Sequence, residues 1–196
     1  MCAWDETAAG LLRTQLAHAF EAARWQVAGL SDDEYFWEPK PGSWSVRPRA
    51  EAVSANPSGR GELVIDDEWP LQGNPPCTTI GWRLVHLIAW TDVYCDWTFG
   101  TATRSFDHVD VPGDARSAVR ELTRSQEEFA AAVDATGDAE FADERTAHWG
   151  ERFPIGTLVW QIMVEHLHHS AEIGVLRDLR RGHGRTDPWP EPTSPS

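Results

Sequence analysis

The chain has 196 residues, 41% of them hydrophobic, with 31 acidic against 17 basic side chains and a net charge of -14. That is enough for one globular domain with a sizeable core and excludes an intrinsically disordered chain. The acidic balance argues against nucleic acid as a partner, because phosphate contacts need a concentrated basic surface. No apolar run is long enough to span a membrane, and the N-terminal MCAWDETAAGLL lacks the basic region and apolar core of a signal peptide. Cys2, Cys77 and Cys95 are too widely spaced to form a C-x-x-C pair or a disulfide framework, so free thiols in a reducing cytoplasm are expected.

In chain order, residues 5–30 are predicted to form the first helix. Leu12, Leu16, Ala19, Phe20, Ala23, Val27 and Leu30 recur at spacings of three and four, and Gly29 followed by Ser31-Asp32-Asp33 marks the end. Residues 31–77 change character. EPKPGSWSVRPR and ANPSGRGE are rich in Pro and Gly, and SWSV and ELVI are predicted to pair as two short strands. The segment far exceeds the roughly 12–15 residues of ordinary structureless loops, so it is expected to cover a pocket. Within it, Asp66, Asp67 and Glu68 read as a solvated acidic run.

Residues 78–99 are predicted to form the second helix, with Thr78 and Thr79 as candidate N-caps and Gly100 as its stop. Trp82, His86, Ala89, Trp90, Val93 and Trp97 share one stripe; Cys95 lies off it and reads as a small core residue. Residues 113–135 give the third helix, anchored by Ala118, Leu122, Phe129 and Val133. A polar connection follows, and Pro154 opens the fourth and longest helix, 154–181, which ends at Gly182. Arg177, Arg180 and Arg181 read as its charged end. The domain is therefore expected to span 1–181, with 182–196 as a Pro-rich tail. Four helices with a long first connection suggest an all-α fold, an antiparallel four-helix bundle with an insertion between its first two helices. The 11 tryptophans either fill the core or line a pocket.

The last helix carries VEHLHHSAEI at 164–173. Leu158, Ile162, Glu165, His169, Ile173 and Leu176 follow at steps of three or four, which puts Glu165 and His169 on the buried face one turn apart. His166 and His168 flank that stripe and are expected at a boundary or in solvent. The second helix supplies His86 inside an aromatic stripe. Side chains on facing helices can build a metal site in a bundle core, and two imidazoles with one carboxylate suit zinc, nickel or ferrous iron. The same residues also read as a hydrogen-bonded polar seam. Glu172 either orients His169 or pairs on the surface with Arg177. His18, His108, His148 and His183 read as surface residues.

The motifs DDEYFWEPKPGSWSVRP, TTIGWRLVHLIAW and EHLHHSAEIGVLRDL together resemble the DinB/YfiT-like superfamily, from the first helix to about residue 181. The resemblance implies a four-helix bundle holding one divalent metal, with one His on the second helix, matched by His86, and two ligands one turn apart on the last. It resembles the branch related to mycothiol-dependent maleylpyruvate isomerase, which uses Glu then His there, and that implies Glu165 and His169; His166 with His169 is the competing pair. The implied activity is metal-dependent transfer using a low-molecular-weight thiol such as mycothiol or bacillithiol. Hydrolysis of an amide or ester, and a non-catalytic metal-stabilised binding role, are the alternatives. Trp44, Arg47, Arg49 and Arg83 are candidates for holding a thiol's sugar and amide groups, against a reading as surface arginines and a packed loop tryptophan. The expected partners are a small-molecule substrate or thiol, and a second copy of the chain in a homodimer.

Overall fold

The computed structural model describes residues 7–68, 70 and 76–182. Four long helices dominate: α1 (Ala8–Val27), α3 (Ile80–Phe99), α4 (Ala115–Ala135) and α5 (Ile155–Arg181), with a single turn, α2 (Asp32–Tyr35), after α1. Their starts follow from side-chain caps. Thr7 accepts from the Gly10 amide at 3.0 Å, Thr79 from the Trp82 amide at 3.2 Å and Asp114 from the Ser117 amide at 2.7 Å. Thr79, not Thr78, is thus the cap of α3. α5 begins after Pro154 and ends at Gly182, whose φ of 72° is open to glycine without strain. Leu30 lies beyond the end of α1 but packs on the core. Cys2, His183 and nearly all of the Pro-rich tail lie outside the described residues.

The helices form a square in which α1 packs on α4 and α5, and α3 packs on the same two. The expected uniformly antiparallel bundle is corrected here. Leu12 approaches Gly156 and Gln26 approaches Gly174, so α1 and α5 run parallel. Arg124 reaches Asp92 at 2.7 Å and Phe129 meets Phe99, so α3 and α4 also run parallel. Each such pair lies antiparallel to the other. The cause is connection length. Residues 100–114 would span about 50 Å when extended, against about 30 Å for a helix of this size, so the chain can return to the starting end before α4 begins.

The described residues between α1 and α3 are no structureless loop. β1 (Val46–Pro48) pairs antiparallel with β2 (Leu63–Ile65), with Val46 opposite Ile65. The expected strand pair is therefore present, with its first strand two to three residues later than SWSV. The acidic run is corrected: Asp66 is fully buried, accepting from the Ser45 amide at 3.0 Å, the Val53 amide at 2.7 Å and Arg47 Nε at 2.7 Å. It organises the connection from inside. Arg177 is also buried, and pairs with Glu34 in α2 at 3.0 Å, tying this connection to α5. Arg177 is thus neither an exposed helix end nor the partner of Glu172. A second hairpin, β3 (Glu144–Thr146) with β4 (Arg152–Pro154), carries His148 and Trp149 at its tip.

On the outer face of α5, Trp160, Val164, Leu167, Val175 and Leu179 are exposed. No helix among the described residues is long and apolar enough to cross a membrane.

Candidate metal centre

α3 and α5 run antiparallel and bring His86, Glu165 and His169 together, with one ligand atom from each lying within 4.8 Å of the others. Glu165 Oε2 stands 3.4 Å from His86 Nε2 and 3.3 Å from His169 Nε2. These separations are long for imidazole–carboxylate hydrogen bonds. They match the edge of a tetrahedron around an ion with bonds of about 2.0–2.1 Å, which is about 3.3 Å. The donor set, two imidazole nitrogens and one carboxylate, therefore fits a divalent cation in chemistry, and the two separations at Glu165 fit it in spacing.

Each donor is held from behind. The ring of His86 stacks on Trp82 with centroids 4.9 Å apart and 15° between planes. His169 Nδ1 meets Glu172 Oε2 at 2.7 Å, and Arg83 bonds the same carboxylate oxygen. A carboxylate on Nδ1 keeps the proton there, so Nε2 presents its lone pair toward Glu165. Glu172 is thus an orienting partner of His169. Burial pushes the His169 pKa down to about 4, against the pull of Glu165.

The competing ligand, His166, faces elsewhere. It is fully buried in the middle of the bundle, correcting the expectation of a boundary position. Arg24 Nε donates to Gln126 Oε1 at 2.7 Å, and Gln126 Nε2 lies 3.3 Å from His166 Nδ1. His166 Nε2 lies 2.9 Å from Thr91 Oγ1, which itself donates to the Leu87 carbonyl. The directions agree only if Nε2 carries the proton and Nδ1 accepts. Both nitrogens are committed, and burial takes the pKa down to about 3. His168 is exposed at 61% of its side chain and lies 3.3 Å from Glu172 Oε1. His168, His169 and Glu172 form a second group of close donors, with Glu172 already engaged by Arg83.

A cavity of about 850 Å³ opens beside His86. Trp44, Trp82 and Trp90 line it, together with His148 and Trp149 from the β3–β4 tip and Gln161 from α5. His148 is therefore corrected from surface residue to pocket wall; His18 and His108 are exposed as expected. Arg47 is spent on Asp66 and Glu38, Arg49 on the carbonyls of Gly59 and Gly61, and Arg83 on Glu172. None of the three lines the cavity. Cys95 is half-buried, and burial raises its pKa to about 11, which suits a packing role. Gln161 had a readable signal, standing one turn before Glu165. His148 had none, because a polar connection gives no periodicity that would mark a wall.

A mostly helical bundle with a His-Glu-His cluster between two facing helices is an arrangement in which side chains on facing helices could hold a metal. The DinB superfamily matches residues 61–173, and the chain belongs to that superfamily. Among solved structures, the chain is similar to a DinB-like protein from Bacillus cereus ATCC 10987, with a TM-score of 0.62 and 15% identity, covering 90% of this chain and 94% of the other. At that identity the likeness concerns the fold. A comparison with curated proteins found no match.

Proposed function

We propose that the chain holds one divalent metal, zinc in the first instance and otherwise nickel or iron, through His86 Nε2, Glu165 and His169 Nε2, and uses it to transfer a low-molecular-weight thiol such as mycothiol. The donor spacing at Glu165 carries the metal part of this reading, and membership of a superfamily that typically binds a divalent metal supports it. With three protein donors, an ion would keep open positions and supply Lewis acidity that lowers the pKa of a thiol or water there. The rest is the work of the chain. Burial keeps His169 unprotonated at neutral pH, so this ligand need lose no proton on loading. Glu172 fixes its ring, Trp82 fixes that of His86, and Glu165 offsets part of the cation's charge.

A catalytic role is favoured over a structural one by the cavity against His86, since structural sites are closed by four ligands. Hydrolysis of an amide or ester is the second reading. It is favoured by the lack, among the described residues, of any Lys or Arg on the cavity wall to meet a polar thiol. The two differ in the attacking group, thiol or water. The test is thiol consumption with monochlorobimane as acceptor, in which sulfur displaces chloride. Conjugation that needs both added thiol and Glu165 supports transfer. Conjugation unchanged in Glu165→Ala removes it, and turnover of an ester without thiol selects hydrolysis.

A further inference from the structure

The cavity beside the centre is unsuited to a sugar or an anion. Among the described residues, six Trp, Tyr and Phe side chains line it: Trp44, Trp82, Trp90, Tyr94, Phe106 and Trp149. Its only charged side chains among the described residues are the carboxylates Asp67 and Glu68, which would repel an anion. A hydroxyl-rich molecule would leave its polar groups without partners against the rings.

Two of the polar wall residues carry a buried atom without a partner. His148 Nε2 and Gln161 Oε1 are each buried with no hydrogen-bond partner among the described residues. The His148 ring is hemmed in by aromatic rings, with centroids 5.2 Å from Phe106, 5.7 Å from Trp90, 5.7 Å from Tyr94 and 4.8 Å from Trp149. Burial lowers its pKa, so at neutral pH the imidazole can donate or accept. Buried polar atoms in native proteins are nearly always satisfied, and beside a cavity a small shift of the side chain lets a bound molecule or an ordered water satisfy them. Trp90 stands one turn from His86 on α3, and Gln161 one turn from Glu165 on α5, so the cavity leads away from the centre along both helices. From Trp82 to Tyr94 α3 covers three turns and more, about 18 Å, long enough for a molecule of two or three fused rings.

We propose that this cavity takes an apolar, aromatic-bodied molecule without negative charge, whose hydrogen-bonding groups are met by His148 and Gln161. This inference rests on the metal-dependent reading only for the role of the molecule. It would be the substrate attacked at the centre, while the polar thiol approaches from outside the aromatic walls. Binding itself does not depend on the metal reading.

The test is calorimetric titration of the purified chain with naphthol, naphthalene and naphthoate, with metal content measured on the same samples. Naphthol is expected to bind at least about tenfold more tightly than naphthoate. The pair His148→Phe with Gln161→Leu is expected to weaken naphthol by about tenfold and leave naphthalene unchanged. Trp90→Ala is expected to weaken both neutral ligands. Because Trp90 also packs on the core, Trp44→Ala on the connection repeats that test without disturbing the bundle. Equal affinity for naphthoate, indifference of naphthol to the tryptophan variants, or no binding of naphthol overturns the proposal. A metal-free sample that binds naphthol keeps the cavity assignment and counts against the metal reading; a metal-loaded sample that does not bind it does the reverse.

Discussion

His166 and His169 stand three residues apart on α5, and both are buried, yet their surroundings differ in kind. His166 sits in a closed relay from Arg24 through Gln126 to Thr91 in which every ring nitrogen has a neutral partner at hydrogen-bond distance. His169 has one nitrogen fixed by Glu172 and the other aimed at a carboxylate and a second imidazole, at spacings that suit an ion better than a hydrogen bond. The burial of a histidine therefore says little about its role. What distinguishes a core histidine from a candidate ligand is whether its second nitrogen has already been satisfied.

The sharpest way to break this contrast is to remove each side in turn. His86→Ala, Glu165→Ala and His169→Ala are each expected to abolish metal retention through desalting, while His168→Ala, altering an exposed ring, keeps it. Equal metal in all four would dissolve the assignment. His166→Ala should act on the fold and not on the metal. It leaves Thr91 and Gln126 with unmet groups around a cavity and should cost about 3 kcal/mol. That lowers Tm by roughly 6–12 °C in calorimetry, with metal per folded molecule unchanged. Metal loss at full stability would instead return His166 to the ligand set.

Smaller effects sharpen the picture. Glu172→Gln should reduce metal affinity by about 10–100-fold, read by competition with a chromophoric chelator, because the Nδ1 proton of His169 loses its carboxylate. An unchanged affinity would make Glu172 a mere surface partner of Arg83. The pH dependence has a definite sign. Burial depresses His166 to about 3 and His169 to about 4, so both stay neutral in the folded chain where an unfolded histidine, near about 6.5, takes up a proton. The unfolded state then binds more protons, and the stability present above about pH 6.5 is lost progressively on acidification toward about pH 3. The metal-free protein should melt lower at acid pH; a Tm that rises there would mean that these rings are charged in the fold.

Much of this was legible in the sequence. The caps at Thr79 and Gly182, the stripe through Leu158, Ile162, Glu165, His169 and Ile173, and the isolated His86 in a tryptophan-rich helix all follow local periodicity, which survives folding. Three features were not. The acidic triplet at 66–68 reads as solvated because nothing in its composition says that Asp66 turns inward to meet the amides of Ser45 and Val53. Helix direction is not readable because a 15-residue connection permits either a turn or a crossover. The cavity draws walls from residue 44 to residue 161, and His148 reaches it only through a hairpin that composition does not announce.

The most direct measurement is elemental analysis by mass spectrometry of the untagged protein beside Glu165→Ala, prepared identically and incubated with zinc. The expected result is about one equivalent of divalent metal in the parent chain and essentially none in the variant. No metal in the parent, or the same amount in both, would contradict the centre and leave His86, Glu165 and His169 as a polar seam between α3 and α5.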